Sequence, residues 1–169
     1  MTALTLAAAQ SISIAGDVPA NILRHLAFMR AAAEQGVQVL VFPELSLSGY
    51  EPSLAAELAI APEDALLTPL REMARELCLT AVVGMPIRLA PGAGVSIAAL
   101  VLGADGSLAV YTKQHLHPGE EVAFVAGQGG DVLECGMIGS RWRSAPTFPT
   151  PAMHVRLRKR APLYTPPAC

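Results

Sequence analysis

The sequence is poor in the features that would build a disulfide-stapled or membrane-inserted protein. Its 169 residues include three cysteines, Cys78, Cys135 and Cys169, whose unrelated spacings suggest neither a disulfide framework nor a zinc site. Gly, Pro or charged residues interrupt every apolar run well short of a membrane span. The N-terminal segment has no basic leader, which argues against a secretory signal. We therefore predict a cytoplasmic protein without a transmembrane helix.

Acidic side chains are absent from the C-terminal end of the chain. All 14 Asp and Glu precede residue 137, whereas six of the 12 Lys and Arg and six of the 14 Pro follow residue 136. Such a shift in composition marks a boundary. It predicts a partial globular domain over residues 1–136 and a basic, Pro-rich, disordered tail over residues 137–169. The tail could bind phosphate non-specifically, but without a fold or a repeat it predicts no specific nucleic-acid partner.

Alternating strand-like and helix-like segments predict an α/β fold. Two strands, at residues 4–10 and 37–42, flank a helix from Val18 to Gln35, with Asp17 as its N-cap and Gly36 as its C-terminal stop. This β-α-β opening favours parallel pairing. Five residues form the apolar stripe of the helix: Ile22, Leu23, Leu26, Phe28 and Met29. A second helix is predicted over residues 63–78, followed by strands at 79–88, 95–102, 107–112 and 131–135.

The first candidate functional residue is Glu44. The apolar run from Val37 to Phe42 is typical of a buried strand, and Pro43 ends it because proline cannot donate to a sheet ladder. A carboxylate delivered at this point is either held by a cation or used as an acid or base. The alternative is a strand-end carboxylate that only a helix N-terminus or an arginine satisfies.

The second candidate is Lys113, which follows the predicted strand at 107–112 as Glu44 follows its own strand. A loop with two adjacent carboxylates, Glu120 and Glu121, comes next. The alternative for a lone lysine at this point is a solvated side chain. His115 and His117 lack a carboxylate or cysteine at ligand spacing, so we predict no metal site. Tyr50 is either a pocket residue or an ordinary surface tyrosine.

Together these motifs resemble the carbon–nitrogen hydrolase (nitrilase/amidase) superfamily. The resemblance rests on Val-Phe-Pro-Glu ending at Glu44, on Tyr-x-Lys-x-His-Leu around Lys113 and on Glu-x-x-x-Phe-x-x-Gly beginning at Glu120, and it covers about residues 4–136. It implies an α-β-β-α sandwich, usually in a homo-oligomer, that acts on small amides, nitriles or N-carbamoyl compounds without a cofactor. It also implies a Glu–Lys–Cys triad in which Glu44 is the general base and Lys113 stabilises the oxyanion. Glu120 would then orient Lys113 or the substrate, a role for which Glu121 is the weaker candidate.

The nucleophile that the resemblance implies is missing from this chain. It should lie in a pattern of two apolar residues, Cys, any residue and Asp, which does not occur after Gly136. Back-translation of the tail, read one base earlier from about Gly136, permits Asp-Arg-Val-Ala-Leu-Ala-Ile-Cys-Ala-Asp at the expected place. We therefore hypothesise a frameshifted, C-terminally truncated hydrolase that is itself inactive. The alternative classes are a thiol-dependent enzyme and a non-catalytic remnant, and loss of the later elements predicts aggregation.

Overall fold

The computed structural model describes residues 4–130, 133–135, 138–144 and 153–159; for the last three segments it describes only the backbone. The described residues contain eight strands: β1 (Leu6–Ala8), β2 (Val39–Val41), β3 (Thr80–Ile87), β4 (Ser96–Leu102), β5 (Leu108–Thr112), β6 (Leu133–Cys135), β7 (Ile138–Ser144) and β8 (Met153–Lys159). The helices are α1 (Val18–Glu34), α2 (Ala55–Leu58) and α3 (Thr68–Glu76). Short 3-10 turns occupy Pro52–Leu54, Ala65–Leu67 and Glu120–Val122.

The first helix ends where its capping residues predict. The Asp17 carboxylate accepts a hydrogen bond from the Ala20 amide at 3.1 Å, and Gly36 follows the helix with φ +70°. Helix α3 is shorter than the predicted 63–78. Pro69 has no N–H to donate to the preceding turn, so a helix tolerates it only in its first turn, and α3 begins one residue before it. The three residues before α3 form a 3-10 turn instead.

The strands of the main sheet follow chain order from β1 to β5. Strands β1, β2 and β3 pair in parallel, as the β-α-β pattern predicts, whereas β4 is antiparallel to both β3 and β5. Strand β5 therefore runs in the same direction as β2. The carboxyl ends of β2 and β5 consequently lie at the same edge of the sheet.

Both faces of the main sheet are apolar. One face packs against α1 and α3 through a large cluster that includes Met29, Leu40, Leu70, Val83 and Leu100, all buried. On the other face Val82, Ala99 and Val101 form a second buried cluster. This alternation of side chains about the strands explains why β3 and β4 are apolar at nearly every position. The prediction of an α/β fold is confirmed.

A second, antiparallel sheet contains β6, β7 and β8 in that order. Two of these strands lie within residues 138–159, part of the segment for which we predicted disorder; the rest of residues 137–169 lies outside the described residues. The disorder and the altered reading frame of this segment stay predictions. Among the described residues, no helix has the length and apolar character needed to cross a bilayer.

Candidate active site

The site lies at the shared carboxyl edge of β2 and β5. Strand β2 delivers Glu44 three residues after its last residue, and β5 delivers Lys113 immediately after Thr112. Two strands separate β2 from β5, so their backbones are about 14 Å apart at the usual spacing of strands. Only long side chains can meet across that gap, and both residues have them.

Lys113 lies between two carboxylates. Its Nζ donates to Glu44 Oε1 at 3.1 Å and to Glu120 Oε1 at 2.9 Å. The other carboxylate oxygen of Glu120 accepts the backbone N–H of His117 at 2.8 Å. The structure thus brings together all three predicted site residues, although Glu44 lies 69 residues before Lys113 in the sequence.

The three charged groups differ in their access to solvent. The side chain of Glu120 is 3% exposed and that of Lys113 is 9% exposed, whereas 34% of the Glu44 side chain is accessible. Glu120 is therefore fixed on both of its oxygens behind the lysine. Glu44 is the carboxylate that an incoming molecule can reach.

A small hydrophobic cluster ties the two loops of the site together. Leu45, directly after Glu44, and Phe124, four residues after Glu120, are both buried in it with Val95, Ile97 and Ala55. The Phe124 amide also donates to the carbonyl of Glu120 at 2.8 Å. The cluster thus packs together the two segments that carry the carboxylate partners of Lys113.

Burial and charge act in opposite directions on Lys113. Burial by itself lowers the pKa of this amine, but the hydrogen bonds and negative charges of Glu120 and Glu44 outweigh it and raise the pKa above the usual 10.5. The amine is therefore an ammonium ion at neutral pH. It can donate hydrogen bonds and stabilise negative charge, but it cannot serve as a base.

The other sequence candidates lie outside this cluster of charges. Glu121 is exposed, and its carboxylate accepts the Gly119 amide at 2.7 Å rather than a lysine. Tyr50 is 57% exposed. His115 is also exposed, and among the described residues no group of three or more His, Cys, Asp and Glu has the arrangement of a metal site.

No described cysteine side chain lies beside Glu44. Cys78 is exposed and precedes β3, and Glu44 packs beside Gly84, well along the same strand. Six residues of extended chain correspond to about 20 Å, so Cys78 lies toward the opposite edge of the sheet. Cys135 is described only by its backbone in β6, and Cys169 lies outside the described residues.

Sequence reasoning missed a group of buried polar residues behind Glu44. Asn21, His25 and Ser46 are each 1% exposed, and they connect α1 to the turn that carries Glu44. A signal was present, because Asn21 and His25 are four residues apart and recur with the apolar residues of α1 at helical spacing. In contrast, Leu23 was assigned to the apolar stripe and is 69% exposed.

The part of the chain that forms the main sheet and the candidate site also matches a known family. The model of the carbon–nitrogen hydrolase family matches residues 5–143, which is most of the sequence. The chain belongs to the carbon–nitrogen hydrolase family. The predicted family, inferred from the motifs around Glu44, Lys113 and Glu120, is confirmed.

Solved structures of carbon–nitrogen hydrolases share the fold. A superfamily protein from Xanthomonas campestris, with an arsenic adduct in its active site, superposes with a TM-score of 0.73 at 22% identity, over 82% of this chain and 52% of that one. An amidase from Nesterenkonia sp. AN1, in complex with butyramide, gives a TM-score of 0.67 at 31% identity, over 78% and 51%. Another structure of that amidase carries the acetamide moiety of fluoroacetamide at its active-site cysteine.

A curated relative matches a shorter stretch. The glutamine-dependent NAD(+) synthetase of Mycobacterium tuberculosis is 43% identical over 76 residues, which is 43% of this chain and 11% of that protein. The chain therefore spans about half the length of the solved hydrolases it matches, and a small part of the synthetase.

Proposed function

We propose that Glu44, Lys113 and Glu120 are the acid–base and oxyanion half of a carbon–nitrogen hydrolase site. The substrates would be small amides, nitriles or N-carbamoyl compounds. The observation that carries the proposal is the position of Lys113, held at 3.1 Å from Glu44 and 2.9 Å from Glu120 at one edge of the sheet. Family membership and the fold shared with an amidase support it.

In the proposed mechanism a cysteine thiol is the nucleophile. Glu44 takes the thiol proton as the thiolate attacks the amide carbon, and the resulting oxyanion accepts a hydrogen bond from Lys113. Collapse of this intermediate breaks the C–N bond, and Glu44 returns the proton to the departing amine. Glu44 then takes a proton from a water that attacks the thioester, and it gives this proton to the departing thiolate, so that the acid and the thiol are released.

The unequal exposure of the two carboxylates supports this division of roles. A base must reach the thiol and the water, and Glu44 is the accessible carboxylate. Glu120 is buried with both oxygens already accepting hydrogen bonds, an arrangement suited to aiming Lys113. Of the three N–H groups of Lys113, two have acceptors among the described side chains, which leaves one for a substrate oxygen.

In the proposed mechanism, this chain does not supply the nucleophile. None of its three cysteines occurs in the expected sequence pattern, and Cys78 lies toward the wrong edge of the sheet. This favours the second candidate, a non-catalytic remnant whose parent carried the cysteine in the alternative frame. Resequencing the gene across the Gly136 codon tests the frameshift, which an intact single frame through the tail would rule out.

An activity assay separates the two candidates. The purified chain, and a protein with the alternative frame restored, are incubated with a panel of small amides, nitriles and N-carbamoyl compounds. We expect hydrolysis from the restored protein alone, abolished by Glu44→Gln and Lys113→Ala but retained in Glu121→Gln, the matched exposed carboxylate. Hydrolysis by the 169-residue chain would contradict the assignment of a remnant.

Other properties of the intact protein also remain proposals. A homo-oligomer is proposed from the resemblance to the family, and a cytoplasmic location from the spacing of the cysteines. The proposal includes no cofactor, no membrane partner and no specific nucleic-acid partner.

A further inference from the structure

A chain of hydrogen bonds runs from helix α1 to the strand beside Glu44. The Gly84 amide donates to Ser46 Oγ at 3.2 Å, Ser46 Oγ lies 2.9 Å from His25 Nε2, and His25 Nδ1 lies 2.7 Å from the Asn21 carbonyl. A carbonyl can only accept, so Nδ1 carries the imidazole proton. Nε2 is therefore the acceptor and the Ser46 hydroxyl is its donor. This assignment gives every group in the chain a partner.

The turn that carries Glu44 has a backbone that needs support. Leu45 adopts φ +53°, a left-handed conformation that costs about 1–2 kcal/mol for a residue other than glycine. The turn also presses on β3, because a Cβ placed on Gly84 would lie 2.3 Å from the Leu45 nitrogen. Strained residues persist only where surrounding contacts fix them.

His25 lies behind this turn and is fixed on several sides. It is 1% exposed, and its ring stacks on that of Phe42 with centroids 4.0 Å apart. Phe42 precedes Pro43 and Ser46 follows Leu45, so His25 contacts the turn on both sides of Glu44. The imidazole itself makes no described contact with Glu44, Lys113 or Glu120.

We propose that His25 is a positioning residue: the neutral imidazole fixes the Ser46 hydroxyl, which holds the Glu44 turn against Gly84 and keeps Glu44 in reach of Lys113. The inference rests on the proposed function and deepens it, since it identifies a residue of α1 that supports the general base Glu44. It predicts that loss of the Nε2 acceptor moves Glu44 away from Lys113 even where the fold survives.

Two substitutions separate hydrogen bonding from packing. His25→Phe keeps an aromatic ring on Phe42 but leaves the Ser46 hydroxyl without its acceptor, whereas His25→Gln supplies an amide oxygen near the position of Nε2. Leu26→Ala is the control, because it removes apolar packing of the same helix without removing a hydrogen bond to the turn. Ser46→Ala removes the link from the other end.

The measurement is trace acetylation of the lysines in the full chain, read by mass spectrometry. The chain has two lysines, so Lys159 is the internal reference for Lys113. Losing Glu44 as a partner lowers the pKa of Lys113 and raises its fraction of neutral amine, so we expect its relative acetylation to rise about threefold or more in His25→Phe and Ser46→Ala. His25→Gln and Leu26→Ala should remain near the unmodified chain.

Two results would overturn the inference: unchanged Lys113 acetylation in His25→Phe, or an equal rise in Leu26→Ala. Should the variants fail to fold, the unmodified chain decides by ¹⁵N NMR, where an imidazole protonated at Nε2 rather than Nδ1 would contradict the hydrogen-bond chain. Failure of the proposed function is separate. A restored protein without hydrolase activity, combined with the expected acetylation pattern, would leave the positioning role intact and remove only the reaction.

Discussion

At the scale of single residues, the site consists of one ammonium ion that contacts two carboxylates of unequal exposure. Lys113 contacts a buried carboxylate and an accessible one, and each has a different use. The buried partner, Glu120, accepts hydrogen bonds on both oxygens. The accessible partner, Glu44, retains access to solvent and so to other molecules. In the proposed mechanism, Glu120 is therefore the fixed support of Lys113 and Glu44 is the available base.

Removal of the buried carboxylate should cost stability. Glu120→Gln leaves the buried ammonium of Lys113 with Glu44 alone, and hydrogen bonds to charged groups are worth about 1.5–3 kcal/mol. In a urea titration of the protein with the alternative frame restored, we expect the free energy of unfolding to fall by about 2–3 kcal/mol. The control, Glu121→Gln, alters an exposed neighbour and should change it by less than about 0.5 kcal/mol. Equal losses in the two variants would contradict the asymmetry.

Acid should destabilise the protein through His25. Burial lowers the pKa of this imidazole below 6.5, partly offset by its hydrogen bond to the Asn21 backbone, and both of its described polar partners are uncharged. The unfolded chain therefore binds a proton at a higher pH than the folded chain does. We expect stability to be full above pH 6.5 and to fall as the pH drops from there toward the lower folded pKa. In parallel melts of the restored protein, His25→Gln should lack this loss, and identical pH profiles would refute the assignment.

At the scale of elements, direction and close contact decide the geometry. The antiparallel β4 returns β5 to the direction of β2, so two loops distant in sequence emerge at one edge. Strand β3 and the turn after β2 approach each other closely at Gly84. A Cβ atom built on Gly84 would lie only 2.8 Å from the Pro43 carbonyl oxygen, so the structure has no room for a side chain at this position.

Gly84→Ala tests this close approach. Gly84 is not in a left-handed conformation, so its substitution meets a steric barrier alone, against the backbone of residues 43–45. We expect about 3 kcal/mol of destabilisation, or displacement of Glu44 from Lys113, because backbone cannot move aside as a flexible side chain can. Gly36→Ala has φ +70° but no neighbouring atom, and should cost only about 1–2 kcal/mol. A Gly84→Ala variant as stable as Gly36→Ala would sink the argument.

At the scale of the whole molecule, the main sheet is apolar on both faces. The face with Val82, Ala99 and Val101 is buried, as is the face under α1 and α3. Under the frameshift hypothesis the chain lacks the later elements of the parent's fold, which would leave other apolar surface and sheet edges uncovered. Large uncovered apolar faces and sheet edges lead to association.

We therefore expect the 169-residue chain to aggregate on its own and the restored protein to be monodisperse. Size-exclusion chromatography with light scattering, followed by thermal melting, measures both. The control is the restored protein carrying Glu44→Gln, which should remain monodisperse because the substitution affects chemistry and not cover. A sharp, cooperative melt of monodisperse 169-residue chain would contradict the expectation of incomplete folding.

Sequence alone determined the features that depend on neighbours along the chain. Asp17 and Gly36 bounded α1, the apolar run before Pro43 gave a strand end, and the motifs around Glu44 and Lys113 indicated the family. It failed at Leu23, whose hydrophobicity does not reveal the direction in which α1 faces. The predicted helix over 63–78 was too long. Pro69 cannot donate a hydrogen bond to a carbonyl of the preceding turn, so it can begin a helix but cannot continue one.

Tertiary structure decided what surrounds Glu44. The sequence placed a carboxylate at a strand end, but only the sheet topology brings it within 3.1 Å of Lys113 across two intervening strands. The same holds for His25, Ser46 and Gly84, which are distant in sequence and joined by hydrogen bonds. Local pattern fixes where a strand ends because backbone and side-chain preferences act over a few residues. Which charges then meet depends on strand direction and packing, which no short segment encodes.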